Sequence, residues 1–148
     1  MSKRQRRAKF STPPLQTKSP RIAESVDDLT TLNFKWRMDE VYIDYDHEEW
    51  GWEQVGIRQF FQCLLPRLQE YETMTWNEIV QRPSCHPMEV SKVCRAAKRR
   101  LQEIHPEIDT LHQIDMQQPC RLWGYRDRQI LYIIWHDPNH SVYPLKRR

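Results

Sequence analysis

Two β-rich runs joined by a short charged turn constrain the fold of this chain most strongly. The runs cover about residues 120–126 and 129–136, and Arg126, Asp127 and Arg128 form the turn between them. Two such runs with so short a connection pair as an antiparallel hairpin. A third run at about 110–116 precedes them, and a last short strand is expected near 141–143. The C-terminal third of the chain therefore predicts a sheet.

Helical periodicity occupies the middle of the chain. Large apolar residues recur over residues 57–71 at the spacing of a core-facing helix, within which Pro66 predicts a kink or the end of a first part. Residues 75–81 begin with a capping box and predict a short helix. Pro87 is well placed as the first residue of a further helix, which Pro106 stops. Two or three helices are expected.

The N-terminal third divides into a tail and a strand. Residues 1–28 are basic, rich in Ser, Thr, Pro and Gln, and predict a disordered tail. Apolar residues alternate over 33–45, which predicts a strand with a bulge or bend after Met38. Residues 29–148 are therefore expected to form a single α+β domain. Its antiparallel sheet has about four strands, packed by two or three helices.

Composition excludes several classes of protein. No apolar run approaches the roughly 20 residues that span a bilayer, and no apolar stretch of a signal peptide follows the basic N-terminus. The four cysteines form no CxxC pair, which favours a reduced, cytoplasmic protein.

The positive charge is concentrated at the N-terminus. The net charge of the chain is +3, but residues 1–30 hold seven Lys/Arg and three Asp/Glu, a net charge of +4, so the remaining residues sum to about −1. The body is not a uniformly basic nucleic-acid cradle.

The residues best suited to chemistry lie in and just after the hairpin. Arg121 lies within a strand, where its planar guanidinium suits phosphate binding, although a salt bridge to an acid such as Asp115 is equally compatible. His136, His140 and Tyr143 follow the last long strand. An imidazole can give or take a proton near neutral pH. Arg121, His140 and Tyr143 together would supply charge stabilisation and proton transfer for metal-free RNA cleavage by the 2′-hydroxyl; the alternative interpretation is a capped turn.

Metal and cofactor sites are not indicated. His136-Asp137-x-x-His140 lies in a turn without helical spacing, and Cys85-His86 with Cys94 is too loose a set. No Walker loop, dinucleotide fingerprint, HExxH or GxSxG occurs. The basic residues from Lys92 to Arg100 indicate either a solvated helix face or a contact with nucleic acid or an acidic partner. No cofactor and no metal are expected.

The order of these features resembles the RelE/ParE superfamily of small bacterial toxins. Many members carry an arginine in a central strand, a charged turn, an aliphatic strand, and then a histidine followed by Val-Tyr. The counterparts here are Cys120-Arg121-Leu122, the turn 126–128, Ile130–Trp135 and His136–Tyr143, and the resemblance covers about residues 87–146. The arginine that commonly follows the histidine is absent. The strand and helix over 33–72 extend beyond the usual toxin length.

The resemblance implies a RelE-like fold and leaves two alternative functions. RelE-like members cleave mRNA on the ribosome, whereas ParE-like members poison gyrase without hydrolysis. The leading hypothesis is a metal-independent endoribonuclease toxin with RNA as substrate and an antitoxin as protein partner. The alternative is a non-catalytic protein-binding module on the same fold, such as a gyrase inhibitor or a phage or defence accessory protein.

The resemblance also assigns roles to individual residues. In the catalytic hypothesis Arg121 would stabilise the phosphorane, and His140 would act as base or acid. Tyr143 would orient or protonate the leaving oxygen, and His136 is a further catalytic candidate. The residues expected to bind RNA are Arg126, Arg128 and Lys146.

Overall fold

A five-stranded mixed sheet organises residues 31–144, which are the residues that the computed structural model describes. The strand order is β1-β5-β4-β3-β2, with β1 parallel to β5 and the other neighbours antiparallel. The predicted tail 1–28 and Lys146 lie outside the described residues. The strands are β1 (Lys35–Arg37), β2 (His86–Glu89), β3 (Thr110–Asp115), β4 (Arg121–Asp127) and β5 (Ile130–Asp137).

Three helices accompany the sheet in the described part of the chain. Helix α1 runs without interruption through an α-helical start, a π-helical turn and an α-helical end (Ile57–Gln59, Phe60–Leu64 and Leu65–Tyr71). Helix α2 covers Trp76–Val80 and helix α3 covers Arg95–Ile104. Among residues 31–144, no helix has both the length and the apolar character needed to cross a bilayer.

The predicted α+β class and the three C-terminal strands are confirmed, but the sheet differs from the prediction. It has five strands rather than about four, and it is mixed rather than antiparallel, because β1 adds to β5 in the parallel direction. Such pairing needs a long crossover, and the two helices between β1 and β2 belong to it. The strand expected near 141–143 is not formed.

Pro87 does not begin a helix, contrary to the prediction. It lies in β2 opposite His112, and α3 begins only at Arg95, after a 3₁₀ turn at Val90–Lys92. The strand β2 is at the edge of the sheet, where a proline that lacks an N–H group is tolerated. The capping box is confirmed: the Glu78 amide donates to Thr75 Oγ1 at 3.2 Å, and the Thr75 amide donates to Glu78 Oε1 at 2.9 Å.

The predicted strand at 33–45 and the predicted stripe of α1 are each only partly correct. Only β1, at Lys35–Arg37, forms from the predicted strand. A turn at residues 40–42 follows it, and there the Asp39 carbonyl accepts hydrogen bonds from the amides of Tyr42 and Ile43. In α1, Pro66 does not end the helix: it lies directly after the π-helical turn, where the hydrogen-bond pattern already departs from that of an α-helix. Ile57 is 79% exposed and Phe61 58% exposed, so neither belongs to the core.

Apolar clusters cover both faces of the sheet. The first core lies under α1 and α2 and includes Leu68, Trp76 and Leu122, whereas the second core lies under α3 and includes Leu101 and Trp123. The β4–β5 register shifts between Trp123 and Gly124. A Cβ atom on Gly124 would lie 2.4 Å from the Tyr132 carbonyl oxygen, so only glycine fits at this irregularity.

A buried carboxylate ties the loop after β1 to α3 and to β5. Asp44 accepts two hydrogen bonds from Arg100, at 2.9 Å from Nε and 2.8 Å from Nη2, and one at 2.8 Å from Trp135 Nε1. Burial raises the pKa of Asp44, but the hydrogen bonds from Arg100 and Trp135 outweigh it, and the net pKa is lowered. A bidentate pair of this kind is directional and holds three elements together.

Asp44→Asn should lower the free energy of unfolding by roughly 2–3 kcal/mol, because it removes the charged partner of a largely buried arginine. The folded-state pKa of Asp44 is depressed, so its contribution is present above the ordinary pKa of 3.8 and is lost as the pH falls below it. Urea unfolding at several pH values measures both effects. The matched control is Asp46→Asn in the same loop, where the side chain is exposed. Equal stability of the two variants at pH 7 would contradict the clamp.

Candidate functional site

The turn after β5 folds around the carboxylate of Asp137. This fully buried group accepts hydrogen bonds from Trp123 Nε1 at 3.2 Å, from the Ser141 amide at 2.8 Å and from the Val142 amide at 3.0 Å. The three donors fix residues 138–142 against the end of β4. His140, in the middle of this turn, has a φ of 58° and is half-buried. The capped turn expected as an alternative is therefore present, and it determines where His140 lies.

Four charged or titratable side chains lie within electrostatic range of one another near the end of the sheet that carries this turn. His140 is close enough to Arg121, Asp137 and His86 to interact with each electrostatically. Burial first, then Arg121 and His86, lower the pKa of His140, and Asp137 opposes them without reversing the shift. His140 is therefore a neutral imidazole at pH 7 and can accept a proton.

His86 is the residue that sequence reasoning missed. It reaches the site because β2 pairs with β3 and sets His86 opposite Gln113. The Nε2 atoms of His86 and Gln113 are 3.4 Å apart. His86 falls between the helix predicted at 75–81 and the helix predicted from Pro87, and the pairing of an edge strand with a partner 27 residues away leaves no local signal.

Arg121 is 6% exposed, and its guanidinium is held by its own chain. It donates to the carbonyls of Pro119 at 3.3 Å and Cys120 at 3.0 Å, and to Gln118 Oε1 at 3.4 Å, while Nε has no partner. Within residues 31–144, no carboxylate lies within 4 Å of the guanidinium. Arg121 therefore carries a positive charge that no acid neutralises directly.

The two acids opposite Arg121 in the sheet use their carboxylates elsewhere. Asp115 on β3 and Asp137 on β5 are its register partners. Asp115 accepts from the Tyr71 hydroxyl and from Arg67 Nη2 at 3.1 Å, and burial of its carboxyl is outweighed by these bonds, so its pKa is lowered. The salt bridge between Arg121 and Asp115 that the sequence left open is not formed.

His136 and Tyr143 lie on opposite sides of the sheet. His136 is buried on the side of the first core, where its ring centroid is 5.6 Å from that of Trp52, and burial lowers its pKa. Tyr143 packs against the second core, on the side that Arg121 shares with Trp123. In the described part of the chain no hydrogen bond joins any two of the four predicted catalytic residues. The structure thus places Arg121 within electrostatic range of His140, puts Tyr143 on the side of Arg121 and puts His136 on the opposite side.

The predicted RNA-binding arginines lie at the other end of β4. Arg126 stacks on Trp76, with 4.0 Å from its guanidinium carbon to the ring centroid, and its Nε donates to the Arg128 carbonyl at 2.7 Å. At about 3.3 Å per strand residue, Arg126 is roughly 17 Å from Arg121 along the strand. RNA contact by Arg126 and Arg128 stays a prediction, and it would concern nucleotides distant from the His140 turn.

No metal site is apparent in this region. Among the described residues, no three His, Cys, Asp or Glu side chains are arranged to hold a metal ion. The cavity next to His136, of about 220 Å³, includes Cys63 and Cys120 in its wall. Burial raises the pKa of the Cys120 thiol to about 12, so it is protonated at neutral pH.

Comparison with known proteins identifies a family but no activity. Residues 38–148 match the family described as Uncharacterised protein UU032, and the chain belongs to that family. The match includes the His140 turn, Arg121 and His86, and it begins just after β1. No curated protein and no solved structure matches the chain. Membership of the RelE/ParE superfamily stays a prediction from the order of the residues.

Arg121→Gln should raise the pKa of His140 towards its ordinary value, because a neutral side chain no longer disfavours the imidazolium, whereas burial persists. NMR titration of the His140 ring measures the shift in the folded protein. Arg37→Gln, in the edge strand β1, is the control and should leave the titration unchanged. An unchanged or lower pKa of His140 in Arg121→Gln would show that the two groups do not interact.

Proposed function

We propose that this protein is a metal-independent endoribonuclease whose general base is His140 and whose electrostatic catalyst is Arg121. The observation that supports it is the pairing of a neutral, half-buried imidazole with a guanidinium that no carboxylate neutralises. A base must be unprotonated to act, and a fixed positive charge favours the anionic transition state of phosphoryl transfer. The rigid turn around Asp137 supports this arrangement because it limits how His140 can move.

The reaction needs one proton taken and one proton given. His140 removes the proton of a ribose 2′-hydroxyl, whose oxygen then attacks the adjacent phosphorus. The P–O2′ bond forms and the P–O5′ bond breaks, which leaves a 2′,3′-cyclic phosphate and a 5′-hydroxyl. The 5′-oxygen takes its proton from a second group, and His86 and Tyr143 are the two candidates on the same side of the sheet.

Within the same proposal the protein acts in the cytoplasm as a RelE-like toxin. Its substrate would be mRNA at the ribosome, and an antitoxin would be its protein partner. The support is the order of Arg121, the hairpin turn and the His140–Tyr143 segment, together with the α+β architecture. The arginine that commonly follows the histidine in RelE-like toxins is absent here. In this proposal Arg121 alone supplies the positive charge at the site.

A non-catalytic protein-binding module is the second candidate. Two observations favour it: the terminal nitrogens of Arg121 already donate to Pro119, Cys120 and Gln118, and Ile57 and Phe61 expose a pair of large apolar side chains one turn apart on α1. Together they form a small apolar patch that a protein partner would cover. Purified protein that leaves RNA intact, both free and on translating ribosomes, would favour this candidate.

His140→Ala should lower the cleavage rate by about 10²- to 10⁴-fold, the usual contribution of a positioned general base. His136→Gln is the matched control: since His136 faces the first core, its variant should retain cleavage when its melting temperature shows that it is folded. Gel analysis of a labelled RNA with a 2′,3′-cyclic phosphate assay measures both. Equal rates in wild type and His140→Ala, or no cleavage by the wild type, would reject the catalytic proposal.

The pH profile provides an independent check. The active form of His140 is neutral and its pKa is lowered from 6.5, so kcat/KM should rise with pH and level off, with a midpoint below 6.5. Arg121→Gln should move that midpoint upwards. A midpoint above 6.5 in the wild type would show that another group limits the rate.

A further inference from the structure

The outward face of α3 carries three exposed cations without counter-ions. Arg95, Lys98 and Arg99 are exposed, and in residues 31–144 none of them takes part in an ion pair. Arg100, their neighbour in the chain, is instead paired with Asp44 and Glu103. The helix therefore uses one arginine for its own fold and leaves three cationic side chains for solvent or a partner.

These cations form one compact patch. Side chains three and four positions apart are neighbours on a helix surface, with Cβ atoms about 5–6 Å apart. From Arg95 to Arg99 the helix rises by about 6 Å, so the three charges lie close enough together to contact one stretch of phosphate backbone. Exposed Lys92, in the turn before α3, lengthens the patch.

The beginning of α3 is attached to the His140 turn. The Cys94 amide, one residue before α3, donates to the Val142 carbonyl at 2.8 Å, and the Val142 amide donates to the carboxylate of Asp137. The two hydrogen bonds fix the beginning of α3 against the segment that carries His140. The first turn of α3, which includes Arg95 and Lys98, is therefore held near the segment of the proposed base.

Acidic residues lie on one side of this face. The groove between α3 and the loop after β1 is lined by Asp46, Glu48 and Glu103 together with Arg99 and Arg100. Arg100 is already paired with Asp44 and Glu103, so the remaining acids disfavour a polyanion in the groove itself. Arg95 and Lys98 do not line this groove, and they therefore carry most of the expected phosphate contact.

We infer that the outward face of α3 is the docking surface for the phosphate backbone of RNA and that it delivers the strand to His140. The inference rests on the proposed function for the identity of the substrate. The binding step itself is independent of catalysis. It also moves the main RNA contact from Arg126 and Arg128, at the far end of β4, to a surface next to the proposed base.

The test compares two triple charge-reversal variants of the full chain. The docking variant is Arg95→Glu/Lys98→Glu/Arg99→Glu, and the matched control is Lys35→Glu/Arg37→Glu/Arg58→Glu, which reverses three exposed cations on β1 and α1. Both variants change the net charge equally and keep the basic residues 1–30, so differences in affinity report position alone. The probe is a fluorescein-labelled, uncleavable 2′-O-methyl oligouridylate of 20 nucleotides.

The docking variant should lose at least tenfold in affinity, and the control less than threefold. The slope of log Kd against log salt should fall by about 2, since each lost phosphate contact on a single strand contributes about 0.7. Arg95→Gln/Lys98→Gln/Arg99→Gln should show the same loss of slope, which separates lost cations from added acids. Equal losses in the docking and control variants, or no loss in either, would overturn the inference.

Two further measurements separate this inference from the proposed function. His140→Ala should bind the oligouridylate with wild-type affinity, so lost cleavage with retained binding supports both proposals. If the docking variant loses affinity but His140→Ala still cleaves, the docking surface stands and the catalytic assignment fails. Polyglutamate that competes as well as RNA at equal charge concentration would overturn the choice of RNA in favour of an acidic protein.

Discussion

The buried carboxylate of Asp137 is the interaction on which the candidate site depends. It ends β5, binds the indole of Trp123 in β4, and holds the amides of Ser141 and Val142. Because the beginning of α3 hydrogen-bonds to Val142, the same carboxylate indirectly positions α3 relative to the turn. One acid thus fixes the His140 segment, the sheet end and the basic helix in a single frame. Its role in this frame is positional, because its hydrogen bonds hold two backbone amides and an indole in place.

Local signals made part of this fold predictable. The hairpin of β4 and β5 and the helix at Trp76–Val80 depend on neighbouring residues, and the sequence predicted them to within a residue or two. The strand β2 was missed because its stability comes from pairing with β3, and Pro87 suggested a helix start. The position of His86 in the site follows from that non-local pairing. The parallel addition of β1 to β5 is non-local in the same way.

The irregularity between Trp123 and Gly124 explains why the predicted catalytic set is divided. In a regular strand His136 would share a face with Tyr132 and Ile134. In the structure Ile134 and Trp135 both belong to the second core, so one position of the alternation is lost and His136 turns towards the first core. A shift of one residue reverses every later side chain in a strand. Periodicity read from the sequence cannot reveal such a shift, whereas Gly124 marks where it occurs.

Within the described part of the chain, Arg121 has no acidic partner, although two acids lie opposite it in the sheet. Asp115 and Asp137 face it from the neighbouring strands, yet one carboxylate serves Arg67 and Tyr71 and the other serves the turn. The chain satisfies the guanidinium with carbonyl dipoles instead, which orient it without neutralising it. A buried cation held in this way is costly for stability alone, because a paired cation would be more favourable. In the proposed function this charge attracts the anionic substrate, and the neutral imidazole of His140 lies within electrostatic range of it.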